Sequence, residues 1–245
     1  MASSFSSPRP DPLPEEGCTR LAGSMGELFD SVAQRYDFLN HLLSGGSDWR
    51  WRETVASAVG RCGPRRLLDL ATGSGDLLWL LERRITTLEE AWGIDVSPSM
   101  LAVARSKGLH RLLQADALAL PFPDGSFDVV TVAFGLRNFA DRTRGFAEMR
   151  RVLRSGGSAF ILEFSQPWAW LAPAYFFYLR KVLPEIARLL GAPREAYQYL
   201  AASILAFPRP EALAGEMERA GFAQVRFRRL TGGIVALHEG EKPTA

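Results

Sequence analysis

The stretch Leu67-Leu68-Asp69-Leu70-Ala71-Thr72-Gly73-Ser74-Gly75-Asp76 decides how the chain is read: an apolar run stops on a carboxylate and passes into a glycine-punctuated turn. That is a strand entering a binding loop. Gly73 and Gly75 can take positive φ and carry no Cβ, so the turn can hold its backbone against a ligand while Asp76 opens the next helix at its dipole-positive end. Leu77, Leu78, Leu80 and Leu81 then face inward. On this stretch alone, a strand-to-helix turn that holds no ligand is an open alternative.

Two cofactor classes use a strand, a glycine loop, a helix and a distant acid. Dinucleotide binders want G-x-G-x-x-G, whose last small residue permits close helix-to-strand packing, and here Leu78 stands at that place. Asp69 would repel a pyrophosphate, whereas it would attract the ammonium and sulfonium of S-adenosylmethionine. The pattern Asp69-x-Ala71-x-Gly73-x-Gly75 resembles motif I of the class I S-adenosylmethionine-dependent methyltransferases, with Ala71 where many members have Gly.

Further acids narrow the choice. Ala91-Trp92-Gly93-Ile94-Asp95-Val96 reads as a short buried strand ending in Asp95, about twenty residues past the glycine loop, the distance at which an acid meets ribose hydroxyls. Ser97-Pro98 then caps and starts a helix. Leu112-Leu113-Gln114-Ala115-Asp116-Ala117 is a third strand running to an acid. Three such strands put Asp69, Asp95 and Asp116 on one edge of a parallel sheet, where open α/β folds bind ligands.

At 245 residues and 47% hydrophobic, the chain suits one α/β domain with some embellishment. Its 29 basic and 27 acidic side chains are interleaved and leave a net charge of +2, so there is no basic footprint for nucleic acid. Cys18 and Cys62 lack ligand spacing, and no His-Cys cluster points to a metal. No run approaches the roughly 20 apolar residues that span a bilayer. The expectation is a protein of the reducing cytosol.

Residues 1–22, rich in Ser and Pro, read as a disordered leader, and residues 23–245 as a single domain. Phe29, Val32, Tyr36 and Leu39 fall at helical spacing, so residues 25–60 are expected to form N-terminal helices that either cover the cofactor edge as a lid, with Tyr36 and Asp37 facing the site, or pad the sheet. Trp49 to Val59 continues that helical region. Phe127 to Ala133 is a fourth strand, Asp141 to Leu153 a helix closed by Ser155-Gly156-Gly157, and Ala159 to Phe164 a fifth strand. Gln224 to Leu230 and Gly233 to His238 flank Thr231-Gly232 as an antiparallel hairpin. An aromatic insert occupies residues 165–210; within it Trp168 to Leu179 carries no charge and Arg180-Lys181 follows at once. That composition suits a membrane interface or a channel for an apolar tail. A cap on the protein's own core, or on a second copy in a homodimer, is the alternative.

The loop Ala133-Phe134-Gly135-Leu136-Arg137-Asn138-Phe139 carries the sharper signal. With Phe29 to Asp37, Ala119 to Asp124, Leu162 to Ser165 and the tail Leu230 to His238, it resembles the ubiquinone and menaquinone biosynthesis C-methyltransferases over residues 25–241. The resemblance implies a Rossmann-like α/β fold with a seven-stranded, mostly parallel sheet, a C-terminal antiparallel hairpin and helices on both faces. It implies methyl transfer from S-adenosylmethionine to a ring carbon of a prenylated quinol, demethylmenaquinol first and a ubiquinone precursor as the alternative. By position it places Ser74, Asp95, Asp116 and Ala117 on the cofactor beside Asp69, Gly73 and Gly75, without a metal. Many relatives have Ser where this chain has Ala133, so no side-chain contact is carried over there.

The chemistry limits what Arg137 can do. A phenolic hydroxyl with a pKa of about 10 costs roughly 4 kcal/mol to ionise at pH 7, unless the site helps. Arginine stays protonated, so Arg137 would stabilise the phenolate or hold a water that accepts the proton, while Asn138 orients the ring oxygen or that water. Arg137, Asn138 and Tyr36 are the candidate catalytic residues. A surface ion pair between Arg137 and Asp141 is the bland alternative, and a nucleotide-binding domain without catalysis is the rival class.

Overall fold

The computed structural model describes residues 46–182, 185–186 and 194–244. The expected leader, the first part of the expected lid helices and Tyr36 lie outside them.

Helix α1 (Ser47–Cys62) leads through an αL Gly63 into β1 (Arg66–Leu70), whose Leu67, Leu68 and Leu70 are wholly buried. Alternation along β1 sends Leu67 to one face of the sheet and Leu68 and Leu70 to the other. On the first face lie α1, α2 (Asp76–Arg84) and α3 (Pro98–Ser106); on the second lie α4 (Arg142–Val152) and α7 (Pro210–Arg219). The remaining strands are β2 (Glu90–Asp95), β3 (Leu112–Gln114), β4 (Phe127–Ala133), β5 (Leu153–Phe164), β6 (Ala223–Leu230) and β7 (Val235–Glu241). They form a seven-stranded sheet of order β3-β2-β1-β4-β5-β7-β6. Strands β1 to β5 run parallel, and β7 pairs antiparallel with both β5 and β6. Strand order reverses between β1 and β4, and the crevice beyond the carboxyl ends of such strands is where an open α/β sheet accepts ligands.

One boundary differs from the sequence reading. Ser155-Gly156-Gly157 does not close α4; that helix ends at Val152 and β5 begins at once. The serine and glycines form an irregularity within β5, where pairing to β4 jumps from Phe127↔Leu153 to Val129↔Ser158. Gly156 takes φ 73°, a value that glycine adopts without strain.

The insert between β5 and α7 contains α5 (Ala172–Phe177), a π-helical turn (Tyr178–Val182) and α6 (Arg194–Ala206). Tyr175, Leu179, Ala201 and Ile204 make a small apolar cluster of their own, joined to the sheet end through Phe164 and Ile234. Among the described residues no helix is long and apolar enough to cross a membrane.

Candidate active site

The glycine loop is held from both sides before it meets any ligand. Thr72 donates its backbone N–H to the Ile94 carbonyl at 2.9 Å, and Gly73 donates its own to Asp95 Oδ2 at 2.8 Å. The other Asp95 oxygen accepts from Ser97 N–H at 2.9 Å. Burial pushes the Asp95 carboxyl above its ordinary range, against the pull of these backbone donors. A carboxylate offers about four acceptor positions, so Asp95 keeps capacity for hydroxyls of a ligand lying over the loop. Gly75, at φ 81°, has no room for a side chain: a Cβ there would stand 2.3 Å from Leu109 Cδ1. Ser74 and Ala117 are buried, whereas Asp116 is exposed just past β3 and accepts Leu118 N–H at 2.8 Å.

Asp69 is placed differently from a ligand-facing acid. It is 1% exposed, and each oxygen accepts from a threonine hydroxyl, Thr72 at 2.6 Å and Thr131 at 2.5 Å. Burial raises its pKa to about 6, with the two hydroxyls and the nearby Arg52 charge opposing. Its visible work is to tie the loop to the end of β4. The acidic edge formed by Asp95 and Asp116 suits a ligand that carries hydroxyls and positive charge.

Past β4 the chain turns sharply. Phe134 takes φ 58° while its N–H bonds to the Leu162 carbonyl at 2.8 Å, and strained backbone of this kind concentrates at functional sites. Gly135 follows, and a Cβ there would lie 2.5 Å from the Cβ of Ala71, itself at φ 48°. The 3₁₀ turn Leu136–Asn138 then brings Arg137 inward. Arg137 is not on the surface and does not pair with Asp141, which instead caps α4 by accepting Arg144 N–H at 3.0 Å. Its side chain is 3% exposed, and the guanidinium meets the buried Glu163 at 3.0 Å. It also bonds the Phe134 carbonyl and lies over the Phe164 ring, 5.4 Å from the centroid. Asn138 Oδ1 accepts from the Tyr199 hydroxyl at 3.2 Å, which fastens this turn to α6.

Arg137 opens onto a cavity of about 380 Å³, within the size range of small-molecule sites. Its walls are aromatic: Trp51, Phe134, Phe164, Tyr175 and Tyr178. The Phe134 and Phe164 centroids are 4.8 Å apart and Trp51 lies 5.9 Å from Phe134. Trp51 Nε1 donates to Thr231 Oγ1 at 2.8 Å, so α1 and the turn before β7 close one side. Asp48 and Arg52 line the cavity as an ion pair, and Arg52 also faces Asp76 at 3.6 Å. Neither Trp51 nor Glu163 is singled out for the site in the sequence analysis, and Tyr175 enters it only as part of the uncharged segment Trp168 to Leu179. Glu163 nevertheless bears the signature that revealed Asp69 and Asp95, a lone acid near the end of an apolar strand. Of the histidines, His238 is 2% exposed, donates its Nε2–H to the Pro210 carbonyl at 3.0 Å and does not line this cavity. Among the described residues no group of three or more His, Cys, Asp or Glu side chains is arranged to hold a metal ion.

The profile of the ubiE/COQ5 methyltransferase family matches residues 19–242. The chain belongs to that family. A demethylmenaquinone methyltransferase of Thermus thermophilus is 48% identical over 222 residues, covering 88% of this chain and 100% of its own. A ubiquinone/menaquinone biosynthesis C-methyltransferase UbiE of Chromobacterium violaceum is 43% identical over 226 residues, covering 90% of this chain and 93% of its own. Among solved structures, a SAM-dependent methyltransferase from Thermotoga maritima superposes with a TM-score of 0.65 at 18% identity, covering 88% of this chain and 99% of its own, which bears on the fold alone. As a family member the chain is a methyltransferase, and its seven-stranded, mostly parallel sheet with a closing antiparallel hairpin is the one the sequence led one to expect.

Proposed function

We propose that this methyltransferase transfers the methyl group of S-adenosylmethionine to a ring carbon of demethylmenaquinol. Asp95, Asp116 and the backbone of Gly73 to Gly75 would hold the cofactor, with Ser74 and Ala117 completing its seat and Asp69 securing the loop. The bound cofactor supplies an electrophilic methyl group. The protein must make the ring carbon nucleophilic and keep it aligned. A quinol ring fits between the aromatic walls, where stacked and tilted rings attract one another. Its hydroxyl then faces Arg137, whose fixed positive charge favours the phenolate and so lowers the roughly 4 kcal/mol cost of ionisation at pH 7. The hydroxyl proton leaves to water, the methyl group passes from sulfur to the ring carbon with adenosylhomocysteine as the leaving product, and loss of that carbon's hydrogen as a proton, with return of a proton to the oxygen, restores the aromatic quinol. Asn138 contributes by fixing the turn that carries Arg137, and Tyr36 is the remaining candidate for a contact with the ring.

The observation that carries this reading is a buried arginine on the wall of an aromatic cavity beside the glycine loop. A membrane-dissolved substrate also accounts for the insert. Trp168, Trp170 and Phe177 are 47%, 73% and 63% exposed, and exposed Arg180 and Lys181 follow them. The same segment supplies Ala174 and Tyr178 to the cavity. This face would rest peripherally on the cytoplasmic leaflet while the quinol headgroup enters. Incubating purified protein with S-adenosylmethionine and either reduced demethylmenaquinone or a reduced, methoxylated polyprenyl benzoquinone tests the assignment by mass spectrometry. The expected product is menaquinol; methylation of the benzoquinol alone would transfer the function to ubiquinone synthesis, and no product from either would overturn it.

A further inference from the structure

Glu163 stands next to last in β5 with 1% of its surface exposed, and its carboxylate gathers three donors, two of them from Arg137. Oε1 accepts Arg137 Nη1 at 3.0 Å and the Phe164 N–H at 2.9 Å, while Oε2 accepts the Arg137 N–H at 3.1 Å. One carboxylate therefore grips Arg137 by main chain and guanidinium together. Charge-assisted bonds are about twice as strong as neutral ones, and removing one member of a buried pair leaves a charge without compensation. A pair retained for stability alone could be replaced by apolar side chains without loss, and it would have no need to stand at the cavity wall. Glu163 does not line the cavity; Arg137 does.

We propose that Glu163 is a positioning residue for the reaction: it fixes the Arg137 guanidinium at the point on the cavity wall where the substrate hydroxyl ionises. The inference rests on the quinol reading above. It predicts that moving the carboxylate harms the chemical step and spares both binding steps. Glu163→Asp keeps the charge and withdraws it by one methylene. Its kcat for demethylmenaquinol should fall about tenfold or more, with KM and the adenosylhomocysteine Kd within about twofold of wild type. In an Arg137→Ala background the same change should alter kcat by less than about twofold, because a group that acts through Arg137 has nothing left to hold. Circular dichroism and adenosylhomocysteine binding verify the fold, and Glu163→Gln, which keeps the length, should show the same split if the aspartate variant does not fold. A wild-type kcat in a folded Glu163 variant, or losses that multiply in the double variant, would overturn the inference. Wild-type protein that methylates no quinol would overturn the function reading and this inference with it, whereas active wild type with an indifferent Glu163 overturns this inference alone.

Discussion

Asp95 serves the loop and the cofactor with one carboxylate, since two of its acceptor positions fasten Gly73 and Ser97 before any ligand arrives. Asp95→Ala should therefore weaken adenosylhomocysteine binding by about 1–3 kcal/mol, the range for a hydrogen bond to a charged group. Isothermal titration measures it, and an unchanged Kd would remove Asp95 from the site. Arg137 makes the opposite prediction, because it faces the aromatic cavity. Arg137→Ala should depress turnover on demethylmenaquinol while adenosylhomocysteine affinity stays near wild type; equal losses in both would mean that it shapes the cofactor pocket. At this scale the acids at strand ends were legible because parallel strands deliver their carboxyl ends to one edge. The partners of those acids were not. That Asp69 accepts from Thr131 depends on the register of β1 against β4, and that Glu163 grips Arg137 depends on how β5 lies beside the turn after β4.

The elements were legible wherever a period or a punctuation residue spoke for one structure only. The glycine loop, the Ser97-Pro98 start of α3 and the closing hairpin all stand as expected. Gly156-Gly157 misled because glycine both ends helices and permits irregular pairing within strands, and only pairing with β4 tells the two apart. The aromatic walls were harder still, since α1, the β4 turn, β5 and the insert each contribute a ring. In and just before α5, burial divides one segment: Tyr175 turns in, whereas Trp170 and Phe177 face out. If the outward rings enter a lipid interface, Trp170→Ser with Phe177→Ser should reduce liposome binding and raise KM for a long-tailed quinol more than for a tail-less analogue. Survival of both properties in a folded double variant would make the segment a cap and nothing more.

Across the whole molecule, two buried titrating groups pull stability in opposite directions as pH falls. Burial holds the His238 imidazole down at about 4 against an ordinary 6.5, so the unfolded chain takes the proton first and stability is lost as pH drops through that window. Asp69, raised to about 6 from 3.8, takes its proton first in the folded state and recovers stability over an overlapping window. Replacing His238 by Gln should remove a loss of roughly 3 kcal/mol between pH 6.5 and 4. Denaturant unfolding at both ends of that range reads it, and a variant with the wild-type pH slope would show that His238 does not set it. Neither group takes part in the proposed reaction, whose central claim concerns the quinol. The most direct test deletes the gene and profiles cellular quinones by mass spectrometry. The account predicts that demethylmenaquinone accumulates, menaquinone disappears and the wild-type gene restores it while the Arg137→Ala form does not; an unchanged quinone pool in the deletion strain would contradict it.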